Sequence, residues 1–320
     1  MMLRGPLSLL CLLTVTSTVG GPGPGAPTPP LDAPGPARSP TDPPVRPLPF
    51  FYDLYTLRGD AGGTTVVAAF AVPVERLERQ RVDDEVLYRF DVTLVLSDTV
   101  LGSVSRTDDS VFVGVPHPLP GEHLLHTHIE VQAPPSRSTL QRVVMTDAST
   151  PGIGQLYGSG FPIPDYSGTD LMLSDIVLGD PRAETGWRRG DVTLALLPTS
   201  QLPGSSFDVY YEVYNLPPGN RYSTEITIER AADARREGDG DPVRTRFTGE
   251  SEAGPDGSLH ELRRVDASLD RGRYLLTVTV TDVDTGRTTR KSRPFNVRGF
   301  GRGATMVPAL PRGGKARPIA

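Results

Sequence analysis

Residues 88–96 read YRFDVTLVL, with Tyr88, Phe90, Val92, Leu94 and Leu96 at every second position and Arg89, Asp91 and Thr93 between them. A period of two is that of an extended strand with one face on a core, because successive side chains leave a strand on opposite sides. Working outward, similar short segments occupy 64–72 (TTVVAAFAV), 111–115, 124–131 and 140–146. After an irregular stretch they resume at 171–178, 191–197, 207–214, 222–229, 243–247, 258–265, 273–281 and 288–297. Gly, Pro and Asp separate them. Only 74–82 and 230–236 read as helical, and both are short. Many short strands at close spacing, without helices between them, predict an all-β fold.

The two halves resemble one another. YRFDVTL from Tyr88 aligns with YSTEITI from Tyr222 at an offset of 134, and Thr146-Asp147 aligns with Thr281-Asp282 at 135. We therefore expect two tandem immunoglobulin/fibronectin-III-like β-sandwich domains, at 50–148 and 170–298. Between them, 149–169 (STPGIGQLYGSGFPIPDYSGT) concentrates glycine and proline and reads as a linker. In the second copy a turn glycine, Gly272, and Tyr274 precede the strand LLTVTVTD. In immunoglobulin-like sandwiches such a tyrosine returns its hydroxyl to a preceding backbone segment. Tyr274, Leu276, Val278 and Val280 then face the core.

Composition bounds the function. The chain has 320 residues, 33 of them proline and 34 glycine, so that about a fifth is Pro or Gly against an average of roughly 12%. Charged residues are 22% and the formal net charge is −5, which excludes a polytopic membrane protein and a basic nucleic-acid binder. Residues 1–21 carry a basic start, then the apolar run PLSLLCLLTVTSTV and small residues, the pattern of a cleaved secretory signal. At 14 residues the run is short of the roughly 20 needed to span a bilayer, so no transmembrane span is expected in the mature chain. Cys11, the sole cysteine, leaves with that signal, and no disulfide or thiolate site remains. Residues 22–49 are a Pro/Gly-rich spacer, semi-stiff and extended. Residues 299–320 form a basic tail.

Three segments carry a family resemblance. LSDIVL from Leu173, VYYEVYNL from Val209, and the run from Gly272-Arg273-Tyr274 to Thr281-Asp282 resemble the β-rich region of bacterial GWxTD-domain proteins. The likeness extends over 50–297 and is most specific from Leu171 onward. The GWxTD segment itself is absent: Gly186-Trp187 continues as Arg188-Arg189-Gly190. The helical region that precedes the β part in such proteins is missing too. The resemblance implies an extracytoplasmic β-sandwich scaffold, and it transfers no reaction and no catalytic residue.

The candidate chemistry is sparse. His126 and His128, at i and i+2 on a strand, point to one face with Glu130 and form a zinc or copper candidate. Alternation turns Leu125, Thr127, Ile129 and Val131 inward, so the competing reading is a pair of solvent-facing, stacked histidines. In 207–215, Phe207, Val209, Tyr211 and Val213 face the core. Asp208, Tyr210, Glu212 and Tyr214 then form an outer stripe that suits a sugar ring or a protein partner; cross-strand packing explains it equally. Asp282-Val283-Asp284-Thr285-Gly286 and Asp239-Gly240-Asp241 resemble half a calcium loop but lack its distal glutamate, and a hairpin turn accounts for the first. The run 83–85 (DDE) reads as a solvated loop. Arg58-Gly59-Asp60 and Arg189-Gly190-Asp191 are integrin-type tripeptides of a kind that arises by chance in such a composition. Serine-hydrolase, zincin and phosphate-loop motifs do not occur.

The sequence therefore predicts a secreted or cell-envelope protein that binds or spaces without catalysis and without a cofactor. Its partner would be a protein or polysaccharide of the envelope. The alternatives are a carbohydrate-binding module using Tyr210 and Tyr214, and a metal-dependent activity at His126 and His128.

Overall fold

The computed structural model describes residues 47–150, 154–180, 185–202, 206–231, 242–254, 257–266, 269–297, 307–308 and 310–311. The expected signal, Cys11, most of the proline spacer, the Asp239-Gly240-Asp241 loop and most of the basic tail lie outside them. The described chain is mostly strand, and no α-helix occurs among the described residues. Its first half runs through β1 (Phe51–Arg58), β2 (Thr64–Pro73), β3 (Arg79–Val82), β4 (Glu85–Asp98), β5 (Val104–Val115), β6 (Leu124–Ala133), β7 (Thr139–Asp147) and β8 (Gly154–Gly160). The second half follows with β9 (Met172–Leu173), β10 (Val177–Asp180), β11 (Trp187–Arg189), β12 (Val192–Leu196), β13 (Ser206–Tyr214), β14 (Arg221–Arg230), β15 (Val243–Glu250), β16 (Ser258–Asp266), β17 (Gly272–Asp282) and β18 (Thr288–Val297). Two short terminal strands, β19 (Val307–Pro308) and β20 (Leu310–Pro311), return to the first half and pair with β6 and β5.

Each half closes as two facing sheets of the same topology. In the first, β1-β2-β6 faces β5-β4-β7-β8; in the second, β10-β13-β16 faces β15-β14-β17-β18, with β12 and β11 extending the former sheet beyond β10. The segments that align in sequence are the same strand in each half, since β4 pairs with β7 as β14 pairs with β17. Opposite Asp147 stands Phe90, and opposite Asp282 stands Tyr222. The pairings are thus slipped by two residues relative to the sequence alignment, a shift that keeps every side chain on its own face.

Two segments differ from their sequence reading. Residues 74–82 are not a helix: Val74–Arg76 makes one 3-10 turn after Pro73, and β3 then folds back on β4. Asp83 and Asp84 form the tip of that two-residue hairpin, with Asp83 in the left-handed region at φ 54°. Arg230 ends β14, and most of the other helical candidate lies outside the described residues. Residues 154–160, expected in a linker, pair along β7 as an edge strand.

Alternation places the cores. On β4 every second residue from Val86 to Leu96 is buried, and these pack with Val66, Ala68, Phe70 and Val72 of β2 between the first pair of sheets. In the second half Phe207, Val209, Tyr211 and Val213 meet Leu276, Val278 and Val280. Tyr274 lies over Phe295 and donates its hydroxyl to the Asp270 carbonyl at 2.9 Å, the corner expected of it. At Gly272 an added Cβ would crowd the Arg230 guanidinium, which can move, and touch the Tyr274 ring at ordinary contact distance.

A third core joins the halves. β2 and β13 are buried along nearly their whole length, on both faces. Tyr55, Leu57, Val67 and Ala69 on the outer face of the first sandwich pack against Val177, Trp187, Leu194, Leu196 and Tyr210 of the second. The four sheets therefore form a continuous stack with three apolar layers. Each such side chain withdrawn from water contributes about 1.5–3 kcal/mol.

The sole tryptophan, Trp187, sits in the middle layer with 1% of its surface exposed. Its fluorescence reports on the seam, and far-UV circular dichroism reports on all strands. We expect both signals to show one coincident urea transition. A fluorescence change that precedes loss of the strands would show that the halves separate before either unfolds.

Candidate functional site

The polar chemistry of the molecule converges on the seam between the halves, along the free edge of β1. β1 pairs with β2 on one side only, so its outward N–H and C=O groups need other partners. Side chains and loops that follow the first sandwich supply them. Arg293 donates to the Leu54 carbonyl at 3.2 Å. Asp175 accepts from the Thr56 amide at 2.8 Å and from its hydroxyl at 2.7 Å, while the Asp175 amide donates to the Thr56 carbonyl at 2.9 Å. The Arg58 amide donates to the Tyr214 hydroxyl at 2.7 Å, and Arg189 donates to the Arg58 carbonyl at 2.6 Å. Every second residue of the edge, 54, 56 and 58, is held in this way.

Glu212 organises the upper end of the seam. Its side chain is fully buried, yet both oxygens are satisfied: Oε1 accepts from Arg189 Nε at 2.7 Å and from the Tyr210 hydroxyl at 2.6 Å. Oε2 accepts from the Tyr214 hydroxyl at 2.6 Å and from Arg189 at 3.2 Å. Burial pushes the Glu212 carboxyl up, but the Arg189 hydrogen bonds and charge and the two phenols outweigh it and leave the carboxyl below its ordinary value. Burial, then the neighbouring carboxylate, pushes both tyrosines up, so they remain donors. Arg58 stacks on the Tyr214 ring at 4.2 Å, and Trp187 meets Tyr210 edge-on at 5.3 Å.

The outer stripe of β13 is thus not a solvent-facing binding surface. Asp208, Tyr210, Glu212 and Tyr214 share one face as alternation predicts, but the first sandwich covers it. Tyr210 and Tyr214 cannot stack on a sugar there. Asp208 alone reaches outward, to Arg264 at 3.2 Å.

His126, His128 and Glu130 likewise share a face, which runs from covered to open: His126 is buried, His128 half-buried and Glu130 exposed. His126 is buried with no hydrogen-bond partner on either ring nitrogen, and burial brings it down to about 4 against the pull of Asp180. Burial also lowers His128 to about 4. Glu130 is taken by the Trp187 indole N–H. Among the described residues no three His, Cys, Asp or Glu side chains cluster as metal ligands. The arginines of both Arg-Gly-Asp triplets are engaged in the seam. Asp282 spends its oxygens on the amides of Asp284 and Thr285, on the Thr285 hydroxyl, on Asn220 and on Arg287, which makes a turn in which Gly286 takes φ 73°.

Sequence reasoning missed the residues that hold the seam: Arg58, Asp175, Arg189 and Arg293. A signal was present in TTVVAAFAV and DVYYEVY, which lack the alternation of a strand with one wet face.

No family model matches the chain, and no curated protein matches it. Among solved structures it is similar to red sea bream transglutaminase (13% identity, TM-score 0.23, covering 78% of this chain and 31% of that one). It is also similar to a Bacteroides uniformis β-glucuronidase (7%, 0.24, 72% and 26%) and to a DUF4785 family protein from Legionella pneumophila (13%, 0.24, 78% and 57%). The chain thus spans less than two thirds of the length of each. What the architecture itself defines is an all-β protein of stacked sandwich sheets.

Two predictions test this description. Glu212→Gln leaves Arg189 without its counter-charge in the seam and should cost about 3–5 kcal/mol by chemical denaturation, the range for one half of a buried pair. Glu212→Gln combined with Arg189→Gln should cost less than the sum of the two single losses, and additive losses would deny the pairing. Because Glu212 is lowered in the fold, its contribution is full above about 4.5, its ordinary value, and fades as pH falls through the lowered value. The lowered histidines act in the same direction at milder pH. Their neutral forms are favoured by folding, so stability is full above about 6.5 and declines as pH drops towards 4. His126→Leu should flatten that decline in a series of melting curves.

Proposed function

We propose that this chain is a non-catalytic structural or binding module of the cell envelope or the secreted space, presented at the end of a proline-rich spacer. One observation carries the reading: the charged and aromatic side chains that would make a reactive centre are consumed in holding two sandwiches together. Both oxygens of the buried Glu212 carboxylate are taken by Arg189, Tyr210 and Tyr214, and a carboxylate so engaged is not available to a substrate. A bonded seam of this kind suits a rigid body that keeps its two ends at a fixed separation. The secretory pattern of residues 1–21, the spacer and the GWxTD-like segments support an extracytoplasmic place. Among the described residues no helix is long and apolar enough to cross a membrane.

The test is expression of the full chain in a Gram-negative host, followed by fractionation and mass spectrometry of the N-terminus. The expected product begins near Gly21 and is found outside the cytoplasm. A product in the cytoplasm that retains Met1 would overturn the extracytoplasmic assignment.

A further inference from the structure

At the lower end of the seam the two sandwiches leave a cleft of about 420 Å³ open to solvent. Tyr52 and Phe161 line it, with Gln141 beside them and Asp175, Thr199 and Lys291 opposite. We propose that this cleft is a binding site for a neutral saccharide, a pyranose whose apolar face lies on the aromatic wall and whose hydroxyls meet the polar wall.

The charges argue for a neutral ligand. Lys291 sits 2.8 Å from Asp175, and Arg293 sits 2.8 Å from Asp53, so each cation in the cleft already has its anion. Asp53 is further occupied by the Thr199 hydroxyl at 2.7 Å and by the Thr199 amide. An ionic ligand would find no uncompensated counter-charge and would have to break one of these pairs to gain one.

The remaining groups argue for hydroxyls. Gln141 is 4% exposed; its Nε2 donates to the Tyr52 hydroxyl at 2.9 Å and to Ser159 at 2.6 Å, while its Oε1 is buried without a partner. That oxygen lies below the cleft surface, so the polar groups a ligand meets are the Tyr52 phenol and the Lys291 ammonium. The Tyr52 hydroxyl, accepting from Gln141, keeps its own proton to donate. Lys291 has three N–H donors and a single carboxylate oxygen within bonding distance. A phenol and an ammonium beside an aromatic wall suit the hydroxyl oxygens of a sugar edge and the C–H surface of its ring. The wall is firm, because Tyr52 stacks on Tyr157 with centroids 5.8 Å apart and Phe50 closes the cluster behind them.

This inference rests on the binding form of the non-catalytic reading and is separable from it. The experiment is isothermal titration of the full mature chain with cellotetraose, chitotetraose and maltotetraose, with each sugar recovered afterwards and analysed by chromatography. We expect one of the three to bind at micromolar to millimolar concentration and to be recovered intact. Phe161→Ala should weaken that binding at least about tenfold through loss of the stacking face. Tyr52→Phe, which keeps the ring, should weaken it by a smaller factor through loss of the phenol proton. Both variants should melt cooperatively, and Tyr52→Phe within a few degrees of the parent. No binding of any of the three sugars, or binding that neither variant alters, overturns the inference and leaves the structural reading intact. Binding with the sugar recovered in pieces upholds the site and overturns the non-catalytic reading.

Discussion

A strand edge that is buried must find partners for its backbone, and the free edge of β1 sets this requirement for the whole molecule. Water satisfies such an edge when it is exposed. Here the second sandwich removes the water, and the carbonyls of Leu54, Thr56 and Arg58 with the amides of Thr56 and Arg58 would each carry a desolvation cost of about 1–3 kcal/mol if left alone. Arg293, Asp175, Tyr214 and Arg189 remove that cost. They also blunt an edge that would otherwise offer itself to another chain. The arrangement fixes where the second sandwich can sit, since a shift of one residue along β1 would turn its bonding groups away from these side chains.

The middle apolar layer and the polar seam make different contributions. Trp187, Tyr210, Val67 and their neighbours supply burial without strong direction, whereas Glu212 with Arg189 supplies direction at a high desolvation cost. A buried ion pair is weak evidence of stability taken alone. Its physical role here is registry, because two phenols and a guanidinium reach both oxygens of one carboxylate in a single relative position of β11 and β13, and only there does that guanidinium also meet the edge of β1.

How much of this was legible in the sequence can be read from β6 and β13. Period-two alternation correctly divides His126, His128 and Glu130 from Leu125 and Ile129, and it divides Tyr210, Glu212 and Tyr214 from Phe207, Val209 and Tyr211. It does not say what lies beyond the second face. Both outer faces were read as wet because they carry polar groups; the other sandwich covers that of β13 and the His126 end of β6, while Glu130 stays exposed. The clue lay in β2, where TTVVAAFAV has no polar face at all, as a strand between two layers requires. The candidate cleft was invisible in sequence, since Tyr52, Gln141, Phe161 and Lys291 come from distant parts of the chain.

The local code, then, was sufficient for strands, for the partition of each strand into two faces and for the tyrosine corner at Tyr274. These depend on spacing and on neighbours within a few residues, and the chain carries that information linearly. The stacking of one sandwich on the other, the conversion of Tyr210 and Tyr214 from a surface stripe into seam donors, and the cleft beside Lys291 were decided by the tertiary structure. They depend on contacts between distant segments, such as Arg58 with Tyr214 and Asp53 with Arg293, where charge and shape meet only once both cores have formed.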